Sequence, residues 1–348
     1  MNKKILSLAV AAAMTSGVAL AQDITIYGQM HASLDYVDSD ATVDGNDWAT
    51  GNHAGARASR LGVKGSEDLG NGLKAIFKIE SAVGGNVGSR NTYVGLSGDW
   101  GTMLMGRHDT PYKISSGSLD LFGDTLADAT IVIGENLDAN RFDERVPQTV
   151  AYISPNMNGL TVAAAWVQHL VDEPVVFGNT LETNAVSLAA MYSNGPLFAS
   201  LAYEDHENAA NGGIVGADNA DAWKLGLGYK ANGFSVGLIY EEIDDAANAR
   251  DAENMIVNAS YAMGNNVFKV QFGNHDDEAL AEDFDYWAIG MDHNLSKRTK
   301  VYALYTDLDN EANAGGNLWC ADSAGVNSQC RGNGNDHSGF SFGMVHKF

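Results

Sequence analysis

Ile24-Thr25-Ile26-Tyr27-Gly28-Gln29-Met30-His31-Ala32-Ser33-Leu34-Asp35-Tyr36 sorts its residues by parity. The even positions are apolar or small; the odd ones, Thr25, Tyr27, Gln29, His31, Ser33 and Asp35, are polar. A period of two held this long marks a strand with one apolar and one polar face. Strands of soluble proteins usually run to ~5–6 residues and tilted membrane strands to ~9–11, so the length points to a membrane.

The same signal returns along the chain in pairs. Arg57 to Ser66 and Leu73 to Glu80 flank the turn cluster Glu67-Asp68-Leu69-Gly70-Asn71-Gly72, and Thr92 to Ser97 and Thr102 to His108 flank Gly98-Asp99-Trp100-Gly101. Further pairs are Val146 to Ser154 with Leu160 to His169, Thr183 to Tyr192 with Leu197 to Glu204, and Ala222 to Lys230 with Phe234 to Glu241. Met255 to Ala262 with Val267 to His275, Asp285 to Asp292 with Thr299 to Thr306, and a last strand ending at Phe348 complete the set. Counted this way there are about 16 strands, with short turns alternating with long Asp/Asn/Gly-rich loops, the pattern of an outer-membrane barrel. The expected fold is all-β: an antiparallel transmembrane β-barrel whose apolar faces (Trp223/Leu225/Leu227/Tyr229, Phe234/Val236/Leu238/Tyr240) meet lipid. The opposite faces, with Ser200, Lys224, Gly226, Gly228, Ser235, Gly237, Lys269 and Gln271, are expected to line a wet lumen. A secreted β-sandwich or propeller also alternates, but its strands are shorter, and no repeat of propeller length recurs.

One connection stands apart. Arg107 to Arg145 is too long for a hairpin, and Thr110 to Asn140 shows no strand alternation. It carries Asp120, Asp124, Asp128, Glu135 and Asp138 between flanking Arg107, Arg141 and Arg145. Loops of this length are usually functional or disordered. Folded into a barrel, this one would set acids against bases as a pore constriction.

The bulk numbers agree. The 348 residues carry a net charge of -23 with Gly 39, Pro 5 and Cys 2. The acidic balance argues against nucleic-acid binding, which needs clustered Lys and Arg. Mean hydropathy is -0.17, a value a β-barrel tolerates because only alternate residues face lipid. Lys3 and Lys4, the apolar run Ile5 to Leu20 and Ala19-Leu20-Ala21 are expected to form a secretory signal peptide over residues 1–21. The mature chain, 22–348, is expected to be one barrel domain.

These stretches resemble the trimeric general porins of Gram-negative bacteria. The likeness rests on Ile24-Thr25-Ile26-Tyr27-Gly28, on the block from Ser59 to Ala75, on Tyr93-Val94-Gly95-Leu96 leading to Gly106-Arg107, on Phe122-Gly123-Asp124-Thr125, on Ser154-Pro155-Asn156 and on the terminal Phe348. It implies short periplasmic turns, long external loops, a third loop folded inward, a homotrimer, and passive diffusion of ions and small hydrophilic solutes across the outer membrane. It also implies contact with outer-membrane lipid and lipopolysaccharide. By the same resemblance Asp120 and Asp124 form the acidic side of the eyelet. Arg60, Arg107 and an arginine from Arg141/Arg145 stand opposite, with Lys64 and Lys78 on the same basic face by parity. The chain lacks one glycine of the commoner Phe-Gly-Gly-Asp-Thr. Phe340, Phe342, Met344, His346 and Phe348 resemble the terminal strand that the barrel-assembly machinery recognises.

Other chemistry finds less support. Gly339-Phe340-Ser341-Phe342-Gly343 matches the nucleophile-elbow pattern, but that motif needs a strand-to-helix turn, so no enzyme is expected. Asp38-Ser39-Asp40 with Asp44-Gly45 lacks the later bidentate Glu of an EF-hand, and the histidines show no metal-ligand spacing; no cofactor or metal is expected. Cys320 and Cys330, close together in the last long loop of an exported chain, are expected to form a disulfide worth ~2–3 kcal/mol. A solute-specific porin, or an adhesin built on the same barrel, remains the alternative.

Overall fold

The computed structural model describes residues 23–40, 50–134, 142–168, 175–176, 179–180, 184–207, 219–245, 250–277, 283–311, 314–320, 328–330 and 336–348. The first strand, Asp23–Ser39, runs antiparallel to the last, His337–Lys347, from Gln29↔Lys347 to Ser39↔His337, and this seam closes the sheet into a barrel. The sheet counts 17 strands, but two of them, Gly51–Ala56 and Arg60–Gly70, follow one another along the same neighbour. They are halves of one wall strand, so the barrel has sixteen positions. Closure leaves no open edge, as the hydrocarbon demands of spanning backbone N–H and C=O groups.

At one end the turns are as tight as a hairpin allows. Asn71-Gly72 joins Gly70 to Leu73 with φ of 53° and 77°, and Asn232-Gly233 joins Ala231 to Phe234 with 52° and 85°. Asn-Gly suits two successive left-handed residues, which match the strand twist. The expected turn at Glu67–Gly72 is therefore shorter than its composition suggests, because the strand continues through a bulge to Gly70.

The apolar parity faces outward as expected. Met30, Leu34 and Tyr36 on the first strand and Leu225, Leu227 and Tyr229 on Ala220–Ala231 are exposed on the barrel surface. Aromatic rings gather near the strand ends: Tyr203 and Trp223 lie 4.5 Å apart at the long-loop end, and Phe234 and Tyr261 4.4 Å apart at the short-turn end. Such girdles sit at membrane interfaces. No helix of the described residues is long and apolar enough to cross a membrane.

The interior departs from expectation on one side. Lys224 and Gln271 face inward, yet protein rather than water covers them, and both are fully buried. The long third loop folds inside and packs Phe122, Leu126, Ile131 and Val132 against Ile239, Ile256, Tyr286, Tyr302 and Leu304 of the wall. Burying side chains of this kind stabilises by roughly 1.5–3 kcal/mol each, which supports a loop inside the barrel that hydrogen bonds alone would hold weakly.

A second segment also enters. Ala314 and Leu318, in the last long loop, are fully buried in the same cluster. The main chain of Trp319 accepts from Arg57 Nη1 at 2.7 Å and donates to Leu126 O at 3.3 Å. Arg57 lies at the break between the two half-strands and pairs with Asp35 at 2.6 Å, both side chains fully buried.

Cys320 and Cys330 end the strands Leu318–Cys320 and Ser328–Cys330, which pair Leu318↔Cys330 and Cys320↔Ser328; the cysteine side chains lie outside the described residues. The signal segment 1–21 and Asp44-Gly45 also lie outside them. Ser341 sits mid-strand, opposite Asp35 and Leu304, so the elbow motif lacks the bend it would need.

Candidate functional site

The third loop leaves the wall at Thr110, whose N–H donates to Glu144 O at 3.1 Å and closes the neck of the loop. Thr110 also caps the short helix Pro111–Ser116, its Oγ1 accepting from Lys113 N, and Pro111 suits the first helical turn. Tyr112 then anchors the helix. Its N–H donates to Ser187 Oγ at 3.0 Å and its hydroxyl to Glu241 Oε1 at 2.7 Å. Glu241 also accepts from Gly134 N and Asn254 Nδ2, and Lys224 lies 4.0 Å over the Tyr112 ring while pairing with Asp143. Lys113 pairs with Asp143 at 3.0 Å from the other side. The two ammonium groups hold the Asp143 carboxyl below the usual carboxylate range against the opposing effect of burial. Loop and wall are thus joined by a buried network in which each charge has a partner.

Further along, Asp120 Oδ1 accepts from Phe122 N at 2.9 Å and starts a tight turn. Asp124 adopts φ 62° and donates its N–H to Asp128 Oδ2 at 2.6 Å. Lys269 steadies this turn, donating to Leu121 O at 2.9 Å with its ammonium 4.5 Å over the Phe122 ring. The Asp124 carboxylate points away from the loop, and its Oδ2 stands 3.6 Å from Arg60 Nη1 on the wall. Burial, then the neighbouring Asp128 carboxylate, push Asp120 well above the usual carboxyl range; burial and Asp124 push Asp128 up, against the hydrogen bonds from Thr130.

On the wall, Lys64 and Lys78 are direct cross-strand neighbours. Like charges so placed repel. Here the Tyr27 ring lies beside both, with the ammonium groups 5.5 and 5.7 Å from its centroid, and Glu80 supplies the counter-charge. Glu80 accepts from the Tyr27 hydroxyl at 2.7 Å and pairs with Lys78 at 3.3 Å and Arg90 at 2.8 Å. Arg90 was not anticipated; it lies in the turn before Thr92–Gly98, where no parity applies. Glu80 shares inward parity with Lys78, the signal that points to it.

The remaining candidates separate. Arg107 sits in the bulge between Gly106 and His108, opposite Thr92. Arg145 is tied to the root of the loop, pairing with Asp109 at 2.9 Å and donating to Asn91 Oδ1 at 2.9 Å. Arg141 lies outside the described residues. The structure therefore brings Arg60 on the wall to Asp124 on the loop, sets Lys64 and Lys78 side by side on adjoining strands, keeps Asp120 within the loop's own turn, and ties Arg145 to the root of the loop. Beside the loop a cavity of about 480 Å³ is lined by Asp120, Asp124 and Asp128 together with Lys113 and Lys300. Opposed charges across such a space polarise the water in it and can sort solutes by charge and polarity.

A family model described as Gram-negative porin matches residues 7–313. The chain is 31% identical over 332 residues to outer membrane porin protein 32 of Delftia acidovorans, covering 89% of this chain and 90% of that protein. It is 26% identical to major outer membrane protein P.IB of Neisseria meningitidis serogroup B, covering 86% and 91%. Among solved structures, the anion-selective porin from Comamonas acidovorans superposes with a TM-score of 0.76 at 26% identity, over 94% of this chain and 100% of that one.

Proposed function

The chain belongs to the Gram-negative porin family, and we propose from that premise how its channel sorts solutes. It forms a water-filled outer-membrane pore for passive diffusion of ions and small hydrophilic solutes. The eyelet is the gap between Asp124 on the loop, backed by Asp120, and Arg60, Lys64 and Lys78 on the wall. One observation carries this reading: the Asp124 carboxylate and the Arg60 guanidinium meet at 3.6 Å from opposite sides, with side chains 37% and 25% exposed rather than buried. A solute entering that field must replace ordered water, which favours polar solutes over apolar ones.

Anions are the favoured ions in this reading. Three wall cations, Arg60, Lys64 and Lys78, stand against Asp124 and Asp120 on the loop. The relative from Comamonas acidovorans is described as anion-selective. Reversal potentials in asymmetric KCl across planar bilayers test the assignment: Asp124→Asn moves selectivity further toward anions and Arg60→Gln toward cations. An unchanged potential in both variants rejects the eyelet.

The working unit in this reading is a homotrimer, packed through the aliphatic and Phe-rich outward face of Ile24, Ile26, Leu61, Phe342 and Met344. A solved Vibrio cholerae neighbour is described as a trimer form. A heat-sensitive trimer band on gels tests it. Residues 1–21 are removed on export, Phe348 serves the assembly machinery, and outer-membrane lipid and lipopolysaccharide surround the remaining outward face. Transport needs no catalysis, so Ser341→Ala leaves conductance unchanged. Intact mass before and after reduction tests the Cys320–Cys330 disulfide.

A further inference from the structure

We propose that Asp128 is a positioning residue for selectivity: its carboxylate holds Asp124 in the left-handed conformation that aims the Asp124 side chain at Arg60. The inference rests on the eyelet reading above and adds the device that sets it.

Left-handed backbone is rare for residues with a side chain, though Asp and Asn tolerate it better than most. In Phe122-Gly123-Asp124-Thr125 the only glycine is Gly123, yet the residue at φ 62° is Asp124. Gly123 answers a different need, since a Cβ there would stand 2.8 Å from Asp120 Oδ2. Something other than glycine must therefore support the turn at Asp124. The support is the hydrogen bond from Asp124 N to Asp128 Oδ2, at 2.6 Å short enough for a charge-assisted bond.

Asp128 is itself fixed. Its Oδ1 accepts from Thr130 N at 2.9 Å and Thr130 Oγ1 at 2.6 Å, so the carboxylate caps the single 3-10 turn Ala129–Ile131. That turn is seated in the core through Ala129 and Ile131, exposed by only 4% and 3%. A rigid line thus runs from the buried cluster through the capped turn and the Asp128 carboxylate to the Asp124 N–H. The Asp124 carboxylate inherits its direction from that line.

A competing account is that Asp128 acts through its own charge, because it lines the same cavity. The two accounts separate in reversal potentials. Asp128→Asn keeps a single oxygen, which the two Thr130 donors claim, and sets its amide N–H toward the Asp124 N–H, so Asp124 turns off Arg60. The expected shift toward anions is of the same order as that of Asp124→Asn. In the double variant Asp124→Asn/Asp128→Asn no shift beyond that of Asp124→Asn is expected. Thr130→Val keeps every charge but removes one of the bonds that orient Asp128, and a partial shift in the same direction is expected. Folded trimers on unheated gels and unaltered conductance steps establish that each variant has assembled. Full additivity in the double variant, or no shift in both Asp128→Asn and Thr130→Val while Asp124→Asn shifts, overturns the inference and leaves the eyelet standing. No shift in Asp124→Asn overturns the inference, and no shift in Asp124→Asn and Arg60→Gln alike overturns the eyelet with it.

Discussion

The ring of Phe348 lies where a side chain on Gly28 would begin. A Cβ built on Gly28 would stand 2.4 Å from the ring, and the two residues exchange main-chain hydrogen bonds, Gly28 N to Phe348 O at 3.0 Å and Phe348 N to Gly28 O at 3.1 Å. The last residue of the chain is therefore a structural part of the barrel seam. Gly28→Val cannot escape the contact, because the fixed carbonyl of Arg60 lies 2.8 Å from the same position. Overpacking of this kind costs about 1–3 kcal/mol. The expected outcome is a lower urea midpoint for the folded band in detergent, with residual channels of normal selectivity.

Arg57 and Asp35 form an ion pair closed off from the lumen water. Removing one member of such a pair strands the other charge, at about 3–5 kcal/mol. Arg57→Ala should destabilise the barrel more than the paired Arg57→Met/Asp35→Leu exchange, and comparison of urea midpoints checks this. The single variant also loses the bond to Trp319 O, so its single-channel current should show added noise from the freed last loop.

Tyr112→Phe deletes one of the donors that satisfy the buried Glu241 carboxylate. Leaving a charged acceptor short of a bond costs about 1–3 kcal/mol. The eyelet lies elsewhere on the loop. Reversal potential should hold while voltage-dependent closures become more frequent, read directly from single-channel traces.

Acidification should change selectivity before it changes the fold. Asp120 and Asp128 have raised carboxyl pKa values, so on lowering the pH they take up protons earlier than ordinary carboxylates do. Their negative charge is present above those raised values and lost as the pH falls through them. Anion preference should therefore grow on mild acidification. Asp124→Asn relieves both carboxyls of a neighbouring charge, so the transition should move to lower pH. A flat profile of permeability ratio against pH would count against this assignment.

Much of this was legible in the residues. Alternation located the wall strands, and the length of the 107–145 connection marked the loop. The half-strand Gly51–Ala56 was not legible, because its outward positions, Asn52, Ala54 and Ala56, are polar or small and carry no apolar parity. The dry side of the lumen left a trace: Leu238-Ile239-Tyr240 and Met255-Ile256-Val257 are unbroken apolar runs, as expected where both faces of a strand are covered. Lipid covers one face and the loop the other. The pairing of Arg60 with Asp124 followed from the resemblance. The separation of Arg145 did not, because Asp109 and Asn91 capture its side chain through contacts that spacing along the chain does not encode.

Trp319 meets Arg57 and Leu126 only through backbone atoms in these two bonds. Its side chain also packs against the buried cluster, and a residue gained or lost nearby would shift the peptide group off its marks. The outermost apron of the channel is thus intolerant of changes in length, and a deletion there would be felt at the narrowest point of the conduit below.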